Sequence, residues 1–476
     1  MMQDQPTYPG LGHIYPGDYY EAIPWDEYID PDQTIPQGPV FDIRNYGARP
    51  EAKLLNTEAI AACCRACGEA GDGVILVSGG DYVTGTVRLP SHCTLFIAYG
   101  SSLVASRDVR QLLTHDPAYR DDRKGESTQG ALLMIDGAEQ VTVTGGGRIC
   151  GQGEWYVYEP RRKPLLTPFD TVMLPRRDQA GEINTVPGSI RTLYRDRIRY
   201  SEDKYGESKP NLVRPSAMVW VRDSSHITFR NIVLQDAMSW TLHTERCEHM
   251  LFRNVVINDN RHVANADGID LCGTSHAEVE HCFISCADDG IVLKNPITSG
   301  RAMHDIHVCN CTVLTVMNAF KIGTETRHDI SDVLVEDCEF MLPDIYPGSV
   351  SGISIESCDG SHVHHITLRG IHMRQVSCPL YILLNRRNRY RLPMSSDPQD
   401  AFWGGAIHDI TIENVAAEDC DVPCIISGYQ SALPGEPEVR KPVTNISISR
   451  FSMSYRPTRE SVTLPERMDE LLFDYP

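Results

Sequence analysis

From residue 218 onward one pattern of apolar and polar positions keeps returning. It reads Ile227-Thr-Phe-Arg-Asn231-Ile-Val-Leu, then Met250-Leu-Phe-Arg-Asn254-Val-Val-Ile, Ala277-Glu-Val-Glu-His281-Cys-Phe-Ile and Ile306-His-Val-Cys-Asn310-Cys-Thr-Val. Later copies begin at Val333, Ile366 and Ile410, with a weaker one at Val443; the spacings from Ile227 to Ile410 are 23, 27, 29, 27, 33 and 44 residues. Within each copy the alternation has the two-residue period of a strand. No helical pattern separates the copies, and a period of 22 to 30 residues marks a solenoid. The fold class expected is therefore all-β: a single-stranded right-handed parallel β-helix, whose coils stack at about 4.8 Å and bury Ile, Val, Leu and Cys inward. Asn at the turn would ladder its amide with the next coil. The Leu-x-x-Leu-x-Leu spacing of a leucine-rich repeat is absent, and a β-propeller would lack the irregular insertions.

The N-terminal part has different texture. Residues 1–40, rich in Pro, Tyr, Asp and Gly, read as an irregular extension on the surface. Phe41 to Gly47 predicts a first strand and turn. The segment 56–67 predicts a helix with Asn56 or Thr57 as N-cap and Gly68 as its stop, placed to cap the open end of the solenoid. Short β runs follow at Val74–Val77, Tyr82–Val83, Val87–Leu89 and Thr94–Ala98. The β-helix domain is expected to span 41–455, interrupted by an insertion at 154–216 and followed by a tail at 456–476. That insertion holds 12 Lys or Arg against 9 acids, and a second basic knot runs from Arg386 to Arg391. Both read as solvated loops, or as a rim that meets glycan carboxylates or hydroxyls; Trp155 stands at the mouth of the first.

Composition narrows the partners. The 476 residues carry a formal charge of −20, which argues against nucleic acid or an anionic membrane as a bulk partner. No stretch approaches a transmembrane span. Residues 1–43 contain no Lys or Arg and no apolar core of signal-peptide length, so a cytoplasmic location is expected, or a secreted one if a leader has been removed. The 16 cysteines match neither a zinc spacing nor a small disulfide framework and read as buried small hydrophobes. His304, His307, His362, His364 and His365 fall at turns or strand edges without a zinc-motif spacing, so neither a metal nor a cofactor is expected.

Chemistry concentrates in a doubled motif. Asn265-Ala-Asp267-Gly-Ile-Asp-Leu is followed by Ala287-Asp288-Asp289-Gly-Ile-Val-Leu-Lys294, and Asp267 and Asp289 are 22 residues apart, one coil. The two side chains should stack, with Asp288 beside them. Three carboxylates so close cannot all ionise freely, so one pKa should rise. A protonated carboxyl can protonate a leaving oxygen while an ionised neighbour activates water. A structural Asp ladder or a bound cation is the plainer use of such a patch. One coil earlier, Trp240-Thr-Leu-His243 offers a stacking ring and a hydrogen-bonding imidazole for a sugar, or core packing alone.

These residues resemble glycoside hydrolase family 28, the polygalacturonases, over roughly 41–455. The resemblance is carried by Phe41 to Gly47 with the capped helix, Gly85-Thr-Val-Arg-Leu89, Gly151-Gln-Gly-Glu-Trp155, Trp240 to His243 and the two Asp motifs. The family pattern is Asn-Thr-Asp, Asp-Asp, Gly-His-Gly and Arg-Ile-Lys. The first stands here as Asn265-Ala-Asp267 and the second is intact. The resemblance implies that Asp288 is the general acid, with Asp267 and Asp289 holding the attacking water in an inverting single displacement. Where Gly-His-Gly would stand the chain has Met317-Asn318-Ala319, then Phe320-Lys321-Ile-Gly-Thr-Glu325; where Arg-Ile-Lys would stand it has Ser354-Ile355-Glu356. An anion in place of the uronate-binding lysine would oppose a uronate by about 1 to 4 kcal/mol. The sugar beside the scissile bond is then neutral, or its carboxylate is met by Lys294, Lys321 or an arginine such as Arg386, while Glu325 and Glu356 accept from hydroxyls. The expectation is a glycoside hydrolase, polygalacturonase-like and exo-acting on a pectin-like or other plant, algal or microbial oligosaccharide. A lyase or epimerase on the same fold, and a non-catalytic glycan-binding β-helix, stay open as alternatives.

Overall fold

The computed structural model describes residues 24–50, 54–112, 130–153, 215–260, 263, 265–342, 349–385, 405–431 and 439–455, with the backbone of 176–177 and 183–184. Strands stack in parallel, coil upon coil, into sheets of nineteen and ten strands. Ile227 pairs with Met250, Met250 with Ala277, Ala277 with Ile306 and Ile306 with Val333, so the sequence repeat is the coil register. This is the right-handed parallel β-helix that the period predicts.

The alternation does what a pleated strand requires. Ile227, Phe229, Ile232 and Leu234 are fully buried, while Arg230 between them is exposed. Phe229 stacks on Phe252 at 5.8 Å. One inward slot shows where cysteine fits. Cys282, Cys311 and Cys338 occupy the place that Val255 holds in an earlier coil and Ile371 in a later one. All sixteen cysteines are free thiols and all but Cys424 are buried; burial pushes Cys311 well above the usual thiol range, and its hydrogen bond with Cys338, then burial, does the same to Cys338.

The turn asparagines have a different reason from the expected amide ladder. Asn231, Asn254, His281, Asn310, Asp337 and Asn414 all have φ between 46° and 53°. A one-residue corner needs the left-handed conformation, which Asn and Asp tolerate best after glycine. The Asn231 amide itself turns to the N-terminal segment, accepting from the Asp30 N–H at 2.8 Å and donating to Gln33 at 2.7 Å. In the same segment Tyr28 and Ile29 cover an outward apolar stripe of Val233, Val256, Phe283 and Leu314.

The capping helix runs Thr57–Ala70, two residues past the Gly68 expected to stop it: the chain leaves at Gly71, in the left-handed conformation. Gly68 lies inside the helix, where a Cβ would come within 3.0 Å of the Pro90 ring. Asn56 sits at the N-cap but spends its side chain on Arg49 N, Leu54 O and Val83 O. The first strand is shorter than expected, Val40–Asp42, followed by a 3-10 turn over Ile43–Tyr46.

Candidate active site

The site stands at the start of four stacked strands: Ile269–Cys272, Ile291–Asn295, Asn318–Thr326 and Ser351–Ser357. Ile269 pairs with Ile291 and Ile291 with Phe320. Two residues earlier the same register sets Asp267, Asp289 and Asn318 in one column, and the Gly268 N–H bonds the Asp289 carbonyl at 2.9 Å. The glycine after each aspartate is a matter of space. A Cβ on Gly268 would sit 2.5 Å from the Gly290 oxygen, and one on Gly290 would sit 2.5 Å from the Ala319 oxygen. The Asp-Gly pairs therefore let successive coils close tightly under the carboxylates.

Asp267, Asp288 and Asp289 are all buried, and a carboxylate oxygen from each lies within 4.8 Å of the others. Two lysines hold the outer members. Lys294 Nζ is 3.0 Å from Asp267 Oδ2 and 2.5 Å from Asp270 Oδ1. Lys321 Nζ is 3.1 Å from Asp289 Oδ2 and 3.8 Å from Glu356 Oε1. Asn318 Nδ2 donates to Asp289 Oδ1 at 2.6 Å and its own oxygen accepts from Ser351 at 2.7 Å. With ammonium groups already on Asp267 and Asp289, the patch has less use for a metal ion than three bare carboxylates would.

Burial, then the charges of Asp267 and Asp289, push the Asp288 carboxyl up to about 7, against the pull of Lys321 and Lys294. Asp267 is also raised, chiefly by burial, so the patch retains a proton near neutrality. Asp267 Oδ1 is buried and has no hydrogen-bond partner within the described protein, which leaves it available to a water or a substrate atom. Asp288 is fixed through its backbone: Thr315 Oγ1 donates to its carbonyl, and its Oδ1 accepts from the Asp289 N–H at 3.1 Å.

Some expected contacts with a sugar are replaced by packing. Trp240 and His243 are 7% and 4% exposed; the Trp240 ring lies under Lys294 Nζ, 3.7 Å from its centroid, and His243 stacks on Trp220 at 5.4 Å. Their faces are used inside the wall. Glu356 is wholly buried and accepts from Ser354 at 3.0 Å, so it anchors Lys321 from below instead of lining the site. Lys294 and Lys321 are bound to carboxylates of the protein. Glu325 is buried near Lys294 and raises its pKa. Asn265 precedes the patch with φ 57°. Arg386 and Trp155 lie outside the described residues.

Two buried acids escaped the sequence reading. Asp270 hides in the apolar run of the first motif, and only its offset from Lys294, one coil on, signals the pair. Asp259, fully buried a coil below, accepts from the Ala237 N–H at 2.8 Å and from Thr241 Oγ1 at 2.5 Å, and burial pushes its carboxyl up to about 8.

The model of glycosyl hydrolases family 28 matches residues 196–429, a narrower span than the motifs suggested. A probable polygalacturonase of Vitis vinifera is 24% identical over 427 residues, 85% of this chain and 73% of that protein. A polygalacturonase of Ralstonia solanacearum is 24% identical over 70% of this chain, which spans 61% of its length. Among solved structures, the family 28 exopolygalacturonase of Yersinia enterocolitica superposes with a TM-score of 0.62 at 15% identity, covering 89% of this chain and 76% of its own. An exopolygalacturonase of Thermotoga maritima gives 0.58 at 16%, covering 90% and 91%. At these identities the structural likeness establishes the fold.

Proposed function

From the premise that this chain belongs to glycosyl hydrolases family 28 across residues 196–429, we propose that it hydrolyses a glycosidic bond in a pectin-like oligosaccharide by single displacement with inversion. Asp288 is the general acid. Asp267 and Asp289, in contact with Lys294 and Lys321, order and activate the water. The observation that carries this is the convergence of three buried carboxyls, of which Asp288 keeps its proton to about pH 7 while its neighbours carry cations. A carboxylic acid poised near the working pH protonates a leaving oxygen most effectively.

The sugar at the cleavage point is neutral. Asp267 and Asp270 contact Lys294, and Asp289 and Glu356 contact Lys321, so both lysines already meet carboxylates of the protein. A uronate would add a further anion beside this group of acids. Coulomb's law sets the cost at about 1 to 4 kcal/mol for a contact near 4 Å. Cleavage is from a chain end. The Yersinia and Thermotoga neighbours, on which this reading rests, are exopolygalacturonases.

One observation favours a second reading. Inverting glycosidases commonly separate their carboxyls by about 6.5–9.5 Å and retaining ones by about 5–5.5 Å; oxygens within 4.8 Å suit the latter. The anomer first released separates the two. For the substrate, hydrolysis of a methyl-esterified pectic oligosaccharide is compared with that of its free-acid form. The ester should be the better substrate by kcat/KM, and a preference for the free acid would overturn the neutral subsite. Viscosity that collapses before reducing ends accumulate would contradict the exo mode.

A further inference from the structure

A second ladder of left-handed residues runs along the outside of the solenoid, where the chain enters each repeat. Its rungs follow the register: His226 beside His249, His249 beside His276, His276 beside Asp305, and Asp305 beside Asp332. Each has φ between 54° and 57°. Imidazoles therefore stack in the lower coils and give way to carboxylates in the next. His226 and His249 stack at 4.7 Å and His249 and His276 at 4.8 Å, the latter pair only 12° from parallel.

At the changeover three donors converge. His276 Nδ1 lies 3.2 Å from Asp305 Oδ2, and His304 Nδ1 lies 2.8 Å from the same oxygen. All three ligand atoms fall within 4.8 Å of one another. Zinc binds imidazole nitrogen at about 2.0–2.1 Å and carboxylate oxygen at about 2.0–2.2 Å, so neighbouring ligand atoms around one ion stand about 3–3.5 Å apart. The two measured edges are close to that figure. The groups are also held in place. The His276 ring is clamped by His249 on one side and meets the His304 ring edge-on at 5.1 Å on the other. The His304 N–H donates to Ser275 Oγ at 3.1 Å, and the His276 and Ala277 N–H groups bond the His304 and Asp305 carbonyls, which ties the two coils together behind the donors.

We propose that His276, His304 and Asp305 form a binding site for a divalent transition-metal ion of the zinc class, open to solvent for its remaining ligands, which staples two successive coils of the β-helix from outside. Two imidazoles and one carboxylate are the ligand chemistry of such ions, whereas calcium and magnesium take oxygen. The partners are 29 residues apart in the chain, from His276 to Asp305, which is one coil; no short-range zinc spacing betrays them. His276 is the second residue of the strand Ser275–Glu280, and His304 and Asp305 immediately precede the strand Ile306–Cys309.

Zinc ion is the probe. The full chain, stripped with chelator, is titrated calorimetrically at pH 7.5 and melted with and without zinc. One-to-one saturable binding is expected, with a melting temperature that climbs with zinc concentration by mass action. The variant pairs His276→Asn with Asp305→Asn, since asparagine accepts the left-handed corner and preserves the fold. It should lose binding by more than the roughly 10–100-fold that an outer-shell partner costs, and its melting temperature without metal should match the wild type. His365→Ala, at another rung, should bind as the wild type does. No saturable zinc binding, or binding that survives the double change, overturns the proposal. So does binding lost instead in His365→Ala, because the ion would then belong to the His364–His365 pair, whose Nδ1 atoms lie 2.6 Å apart.

Discussion

Asp288 differs from its two neighbours in what surrounds it. Asp267 and Asp289 each touch an ammonium group, whereas at Asp288 burial and the charges of those two neighbours outweigh the pull of Lys321 and Lys294 and push the carboxyl up to about 7. Asp288→Asn should lower kcat by about 10²–10⁴-fold while oligosaccharide affinity, read by calorimetry, is kept. The sign of the pH effect follows. The acid works only protonated, so kcat falls as pH rises through about 7. Lys321 helps set that limb. Its charge pulls the Asp288 pKa down, so Lys321→Met should move the basic limb to higher pH and leave Asp289 and Glu356 buried without their cation. Breaking such a pair costs about 3–5 kcal/mol; Lys321→Arg should restore part of the stability, and an unmoved limb in Lys321→Met would sink the assignment. At this scale the sequence showed the acids and hid their wiring. Asp267, Asp288 and Asp289 are legible from a doubled motif one coil apart. Glu356, by contrast, looked like a residue that meets the sugar, because a linear motif does not reveal that Lys321 of the preceding coil lies above it.

The coil is the element, and its glycines and buried acids set its limits. Gly290→Ala would drive a methyl into the Ala319 carbonyl and destabilise the chain by roughly 1–3 kcal/mol, measured by denaturant unfolding. Asp259 gives the coil below the site a pH signature. Its carboxyl is raised from the ordinary range to about 8, so the folded form holds a proton that the unfolded chain releases near pH 4. The stability this contributes is full below about pH 4 and is lost progressively as pH rises toward 8. Asp259→Asn, which cannot ionise, should therefore flatten the melting temperature across that window relative to wild type. Identical slopes would mean that Asp259 is ionised in the fold. Coil boundaries were readable because alternation and left-handed corners repeat: Asn231, Asn254 and Asn310 announce the turn even though the amide ladder expected of them is absent at Asn231. The capping helix was readable at its start and misjudged at its end, since Gly68 lies inside the helix and Gly71 makes the actual exit.

Across the whole molecule, a solenoid supplies a rigid wall on which residues 22 to 33 apart become neighbours. The parallel register turns Asp267, Asp289, Asn318 and Ser351 into one column and His226, His249, His276 and Asp305 into another. The first carries the proposed hydrolysis and the second the proposed metal staple, and both are invisible to any motif confined to a few residues. Residues 386–404, with Arg386 among them, and the basic segment after Gly153 lie outside the described residues, so the neutral-sugar assignment rests on the charges around the carboxylate patch itself. The measurement that tests the account most directly is proton NMR of the anomeric signals during the first minutes of hydrolysis of a pectic oligosaccharide. The account predicts that the first anomer to appear has the opposite configuration to the bond cleaved, and that the signal vanishes in Asp288→Asn. A first product of retained configuration, an unsaturated product, or undiminished turnover by Asp288→Asn would contradict it.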